Sequence, residues 1–157
     1  MKVKSTVFVL FFCMPFLNVT LSAQEVNKMV VLEVDTDNIN ANNINEMATF
    51  GQPSEISNEN FTLDVQLGDV IIWQGRTMPG TGGLVRIKLL KHEEGVKLLG
   101  ANRISEQDGT GVVVGRVQAG QVGDEEKYSL KFEVRQRGSQ DWVEYTIDPK
   151  LQLMPQE

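Results

Sequence analysis

The sequence predicts an all-β chain folded as a single antiparallel β-sandwich of about eight or nine short strands. Three observations carry this. From Phe61 to Leu67, apolar Phe61, Leu63, Val65 and Leu67 alternate with polar Thr62, Asp64 and Gln66. That is the period-two pattern of a strand with one face on a core and one on water. After a Gly68-Asp69 turn, Val70-Ile71-Ile72-Trp73 runs on without a polar break. A short β-branched run of this kind suits a strand covered on both faces. Elsewhere, similar runs are separated by Gly, Asn, Asp and Pro, and no stretch of useful length carries apolar residues at helical spacing.

Taken in order, the first strand is Met29–Val34, MVVLEV. The Asn- and Asp-dense stretch 35–45 follows; these side chains satisfy backbone groups locally, so it reads as a loop. Residues 45–50 fit one helical turn, and Pro53 with its Ser and Asn neighbours gives a second loop. Beyond the central pair, Gly75–Gly83 is a loop by composition. Leu84–Leu90 alternates, with Val85, Ile87 and Leu89 inward and Arg86 and Lys88 outward. His92-Glu93-Glu94-Gly95 reads as a turn and Val96–Leu99 as a returning strand. Ala101–Gly111 is polar loop, and Val112–Val117 is again β-branched. Lys127–Val134 alternates with Tyr128, Leu130, Phe132 and Val134 inward. Asp141–Ile147 places Val143, Tyr145 and Ile147 on one face, Asp148-Pro149 breaks it, and Leu151 and Leu153 close the chain.

Residues 1–23 read as a secretory signal peptide: basic Lys2 and Lys4, an apolar Val7–Phe12, and cleavage after Ala23. Pro15 and Asn18 interrupt the segment, which is too short to span a bilayer. The expected product is therefore one secreted or periplasmic domain, residues 24–157. Loss of Lys2 and Lys4 takes the formal charge from −6 to −8. An acidic chain without a basic block argues against nucleic acid and against anionic membrane surfaces. The sole cysteine, Cys13, sits in the apolar segment without the small residues that precede a lipid-modified cysteine. The processed chain thus has no disulfide, no thiolate nucleophile and no soft metal ligand, and depends on its hydrophobic core.

Two families resemble this pattern. Leu67-Gly68-Asp69-Val70-Ile71-Ile72-Trp73 is similar to a segment of the cupredoxins, secreted sandwiches of immunoglobulin-like layering. That family binds copper through two histidines and a cysteine; the processed chain offers only His92, so a blue-copper site is excluded. The second is the bacterial inclusion-body protein family of PixA type. Its pattern resembles Val31-Leu32-Glu33-Val34-Asp35-Thr36, then the Gly68-Asp69 strand pair, then Tyr128-Ser129-Leu130-Lys131-Phe132, then Asp148-Pro149-Lys150-Leu151. This resemblance implies a β-sandwich that self-associates, with sugar binding proposed for some members.

Candidate chemistry is sparse. One histidine among Lys91, Glu93 and Glu94, and no serine in a nucleophile-elbow context, argue against an enzyme. Asp35-x-Asp37 with Glu46 at the twelfth position has the span of a calcium loop. Ile39 and Asn40 occupy the places where an EF-hand needs an oxygen ligand and a glycine. Asp35, Asp37 and Asn38 remain a candidate calcium site of another kind, against the plain reading of an Asx-rich loop. Gly75–Gly83 lacks the Gly-Lys-Ser/Thr ending of a phosphate loop. Strand parity turns Trp142 outward with Glu144, so Trp142, Asp141 and Glu144 form a candidate surface for a glycan or a protein. The plain reading puts Trp142 over the rim of the core. The sequence thus favours non-catalytic recognition. The alternatives are a self-associating structural protein and, more remotely, a hydrolase on a β scaffold.

Overall fold

The structure, a computed structural model, describes residues 27–156. The expected signal peptide, its cleavage point and Cys13 lie outside the described residues. The described residues form ten strands: β1 (Asn27–Val34), β2 (Ala48–Thr49), β3 (Thr62–Val65), β4 (Val70–Thr77), β5 (Leu84–Gly95), β6 (Arg103–Ser105), β7 (Val112–Arg116), β8 (Glu125–Arg135), β9 (Val143–Ile147) and β10 (Lys150–Leu153). One helical turn, α1 (Ile44–Met47), precedes β2. The first sheet has the order β2-β1-β4-β7; the second has the order β3-β10-β8-β5-β6, with β9 also paired to β8. The two sheets face each other as a sandwich, as the alternating strands require.

The pairing is mixed where the sequence predicts antiparallel strands throughout. β1 and β4 are parallel, as are β3 and β10. The cause lies in the Gly68-Asp69 turn, which joins β3 and β4 across the two layers rather than as a hairpin within one. The chain turns back from β1 into the short β2, leaves the first sheet, visits the second as β3, and returns as β4 pointing the same way as β1. Gly68 takes φ +96, which a side chain would resist. The Asp69 carboxylate accepts the Gln66 N–H at 2.8 Å and meets Lys28 Nζ at 3.0 Å, so this buried acid closes the turn and ties it to β1.

The core lies between the layers. The first sheet contributes Val30, Leu32, Val34, Ile71, Trp73 and Val113; the second contributes Ile87, Leu90, Tyr128, Leu130, Phe132 and Leu151. Trp73 Nε1 donates to the Tyr128 hydroxyl at 3.1 Å, and the two rings meet edge to face at 5.9 Å. Burial pushes the Tyr128 hydroxyl pKa well above the ordinary tyrosine range.

Several expectations shift: β4 runs on through Thr77 into the stretch expected as loop, and β6 forms within the expected loop 101–111. Pairing of β5 with β8 skips a residue at Lys88, so the parity of β5 flips there. Leu90, not Leu89, faces Leu130 in the core; Leu89 pairs with Lys131 on the outer face, where it is nonetheless buried. The predicted turn His92–Gly95 is strand, because β5 continues through a second register shift to Gly95. Val96–Leu99 is not a returning strand but a tight loop that drives Leu98 and Leu99 into the core. Gly95 permits this entry: it has φ +82, and a Cβ there would lie 2.2 Å from the Glu125 carbonyl oxygen. Val143, expected inward, is 48% exposed, because it opens β9 opposite Val134 at the far end of the ladder; Tyr145 and Ile147 are buried as expected.

Candidate functional site

The residues singled out in the sequence fall at separate places. The Asp35 carboxylate accepts the backbone N–H of Asp37 and of Asn38, each at 3.2 Å, and the Asn38 side-chain amide at 2.8 Å. Asp37 Oδ1 accepts the Gly82 N–H at 3.3 Å. These bonds organise the Asx loop, and a cation would compete with them for the same oxygens. Among the described residues, no group of three or more His, Cys, Asp or Glu side chains gathers in a metal-holding arrangement.

Trp142 stands before β9 on the outer side of the second sheet, half-buried. The Arg86 guanidinium lies 4.0 Å from its ring centroid and that of Arg135 at 5.2 Å. Arg86 is held by Glu133 at 2.5 Å, and Lys131 pairs with Glu144 at 2.6 Å. Glu144 therefore shares the face with Trp142, but its charge is taken up by Lys131. Asp141 is exposed, and its N–H binds Ser139 Oγ at 3.0 Å. Outward parity placed the indole correctly and gave no sign of the arginines. The Arg86 guanidinium covers indole surface on which a sugar ring would stack. Trp142→Ala is expected to lower unfolding stability by about 1–2 kcal/mol, the worth of two partly exposed cation–π contacts. Urea denaturation checks this; a loss of roughly 4 kcal/mol would mark Trp142 as core instead.

His92 faces inward from β5. Its Nδ1 lies 3.0 Å from Glu126 Oε1, and Glu126 Oε2 accepts the buried Leu99 N–H at 3.0 Å. Glu126 is 1% exposed. The pair fastens the 96–99 loop to β5 and β8 and is part of the fold's frame.

The outer face of the first sheet is the surface that side-chain reasoning passed over. Met29, Ile72 and Val114 sit in one row across β1, β4 and β7, and Val31, Gln74 and Val112 form the next. Met29 is 61% exposed and Val114 37%, while Val31, Ile72 and Val112 are half-buried. Glu33 and Arg76, cross-strand neighbours, form an ion pair at one end. A concavity of about 310 Å³ opens beside them, lined by Met29, Val31, Phe50 and Gly51 as well as that pair. Phe50 is backed by Phe61, stacked at 4.6 Å. The signal for this face was the unbroken run Val70–Trp73. Ile71 and Trp73 fill the core, and the outward members Val70 and Ile72 have no covering layer in a single copy.

No family model matches the sequence, and no curated protein matches it. Among solved structures, the fold is similar to an inclusion body protein of PixA type from Burkholderia cenocepacia, with a TM-score of 0.55 and 10% identity, covering 86% of this chain and 99% of that one. Two others are the cysteine protease inhibitor EhICP2 from Entamoeba histolytica (TM-score 0.27, 12% identity, 81% and 96% covered) and the N-terminal domain of ORF48 of phage TP901-1 (TM-score 0.31, 11% identity, 83% and 99% covered). The chain is a β-sandwich with strands in mixed pairing. Its likeness to the PixA-type inclusion body protein, suspected from short motifs, holds at the level of the fold.

Proposed function

We propose that this protein is a self-associating structural β-sandwich whose copies meet through the outer face of the first sheet. The observation that carries this is the apolar row Met29, Ile72, Val114, whose middle member Ile72 belongs to the run Val70–Trp73, patterned for cover on both sides and covered on one. The fold it shares with an inclusion body protein supports the same reading. The rim of the face suits a second copy. Glu33 and Arg76 carry opposite charge at one end, so a two-fold arrangement sets the Arg76 of each copy against the Glu33 of the other. This contact takes precedence over recognition at Trp142, whose ring is occupied by an arginine of the same chain.

Magnitudes set the strength. Covering roughly 200 Å² of apolar surface on each copy is worth about 10 kcal/mol gross. Joining two bodies costs roughly 4–15 kcal/mol. The contact is therefore weak and depends on concentration. In sedimentation velocity the mean coefficient rises as protein concentration rises. Met29→Lys buries an unpaired ammonium in the contact and is expected to raise the dissociation constant by more than about tenfold without altering the melting temperature. A wild-type protein that stays monomeric up to millimolar concentration would end the reading.

A further inference from the structure

A two-fold contact through one face closes at two copies; a larger body needs a second, different contact. We infer that the free edge of β9 supplies it, pairing antiparallel with the β9 of another copy about a two-fold axis at Tyr145. The inference rests on the self-association proposed above and names its second interface.

The edges of the two sheets are unequal. β2 has two residues, β6 has three and β3 has four. β7 turns its outer side toward β5, where the Ile87 N–H reaches the Gly111 carbonyl at 2.9 Å. β9 has five residues and makes no backbone hydrogen bond except to β8. Natural edges are guarded by Pro, Lys, bulges or extreme shortness. Val143-Glu144-Tyr145-Thr146-Ile147 contains no Pro, Lys or Gly, and its ladder with β8 is regular. The Asx loop passes nearby: the Tyr145 hydroxyl donates to the Ile39 carbonyl at 3.4 Å, but no backbone hydrogen bond joins the loop to the edge. A concavity of about 360 Å³ separates them, with Asn43 and Glu46 on one side and Thr146 and Ile147 on the other. An added strand would enter there.

The sequence of β9 fits its own copy. Turned about Tyr145, Val143 meets Ile147, Glu144 meets Thr146, and Tyr145 meets Tyr145. Apolar residues face apolar ones, and no like charges stand opposite. Glu144 keeps its Lys131 partner on the outer face. Alternating the two contacts, sheet face then strand edge, links copies into an open chain, the geometry a growing particle requires.

The register makes an experiment with opposite signs possible. In Met29→Lys protein the face contact is removed, and the remaining association is a dimer through β9. Adding Thr146→Glu places a carboxylate opposite Glu144 twice per dimer and is expected to raise the dissociation constant roughly tenfold; adding Thr146→Lys places an ammonium there and lowers it by roughly the same factor. Thr146 is exposed, so both variants keep the wild-type melting temperature. Sedimentation equilibrium reads all three proteins. Opposite shifts from Glu and Lys establish the pairing. Equal shifts, or no shift, overturn it, as does a Met29→Lys protein that is monomeric at millimolar concentration, an outcome that leaves the face contact standing. Wild-type assembly unchanged by Met29→Lys, with dimers that respond to Thr146→Glu, removes the face contact and leaves the edge.

Discussion

Replacing Trp73 with alanine is expected to lower the free energy of unfolding by about 3–5 kcal/mol, the largest effect of any single substitution in the first sheet. Trp73 is the largest fully buried side chain among the described residues, and it reaches across from β4 to Tyr128 of the opposite layer. Its loss opens a void between the sheets, and the neighbours can refill only part of it because each is fixed on a hydrogen-bonded strand. Alanine also strips the Tyr128 hydroxyl of its indole donor. That hydroxyl is buried, and an unpaired buried hydroxyl carries its own penalty of roughly 1–3 kcal/mol. Trp73→Phe keeps most of the volume while losing the donor, so the difference between the two variants separates packing from the hydrogen bond. Equilibrium unfolding in guanidinium measures both. A domain of this size has a total stability of about 5–15 kcal/mol, so Trp73→Ala should leave the fold marginal.

Glu126→Ala is expected to cost about 3–5 kcal/mol through a different cause. One oxygen of this buried carboxylate is bound near His92 and the other holds the Leu99 N–H. Removing it leaves a buried backbone donor and an imidazole without partners, at the point where Leu98 and Leu99 enter the core. The 96–99 loop should then open ahead of the sheets, seen as faster amide exchange at Leu99 than at Leu130. Glu126→Gln retains one acceptor oxygen for the Leu99 N–H and should cost less than half as much. Equal losses for alanine and glutamine would show that the carboxylate's bonds contribute nothing beyond its volume.

Much of this architecture was legible in the sequence because one physical rule, side chains alternating across a pleat, governs it. The inward positions of Tyr128, Leu130, Phe132 and Val134 followed from spacing alone, since β8 runs through the middle of its sheet without a break. What stayed hidden depends on partners that a local pattern does not name. The register shift at Lys88 moves Leu89 out and Leu90 in, and nothing in LVRIKLLK distinguishes that arrangement from unbroken alternation. The parallel pairing of β1 with β4 is set by which sheet β3 joins, a long-range choice. His92 read as part of a charged turn because Glu93 and Glu94 follow it; its partner, Glu126, comes from another strand. At the candidate surfaces the pattern was divided. Outward parity placed Trp142 on the second sheet's outer face, yet Arg86, which stacks on it, is remote in sequence. For the first sheet the signal was present in Val70–Trp73, whose apolar character on both faces stands out only once one of those faces is found bare.

The central claim is that this bare face is covered by a second copy. Light scattering on the purified protein over rising concentration, with wild type beside Val114→Lys, tests it most directly. Val114 is the β7 member of the apolar row, on the edge strand of that sheet and outside the core, so its replacement should leave the monomer intact. The account predicts a wild-type mass that climbs beyond one copy while the lysine variant lags at every concentration. Identical curves for the two proteins would contradict it.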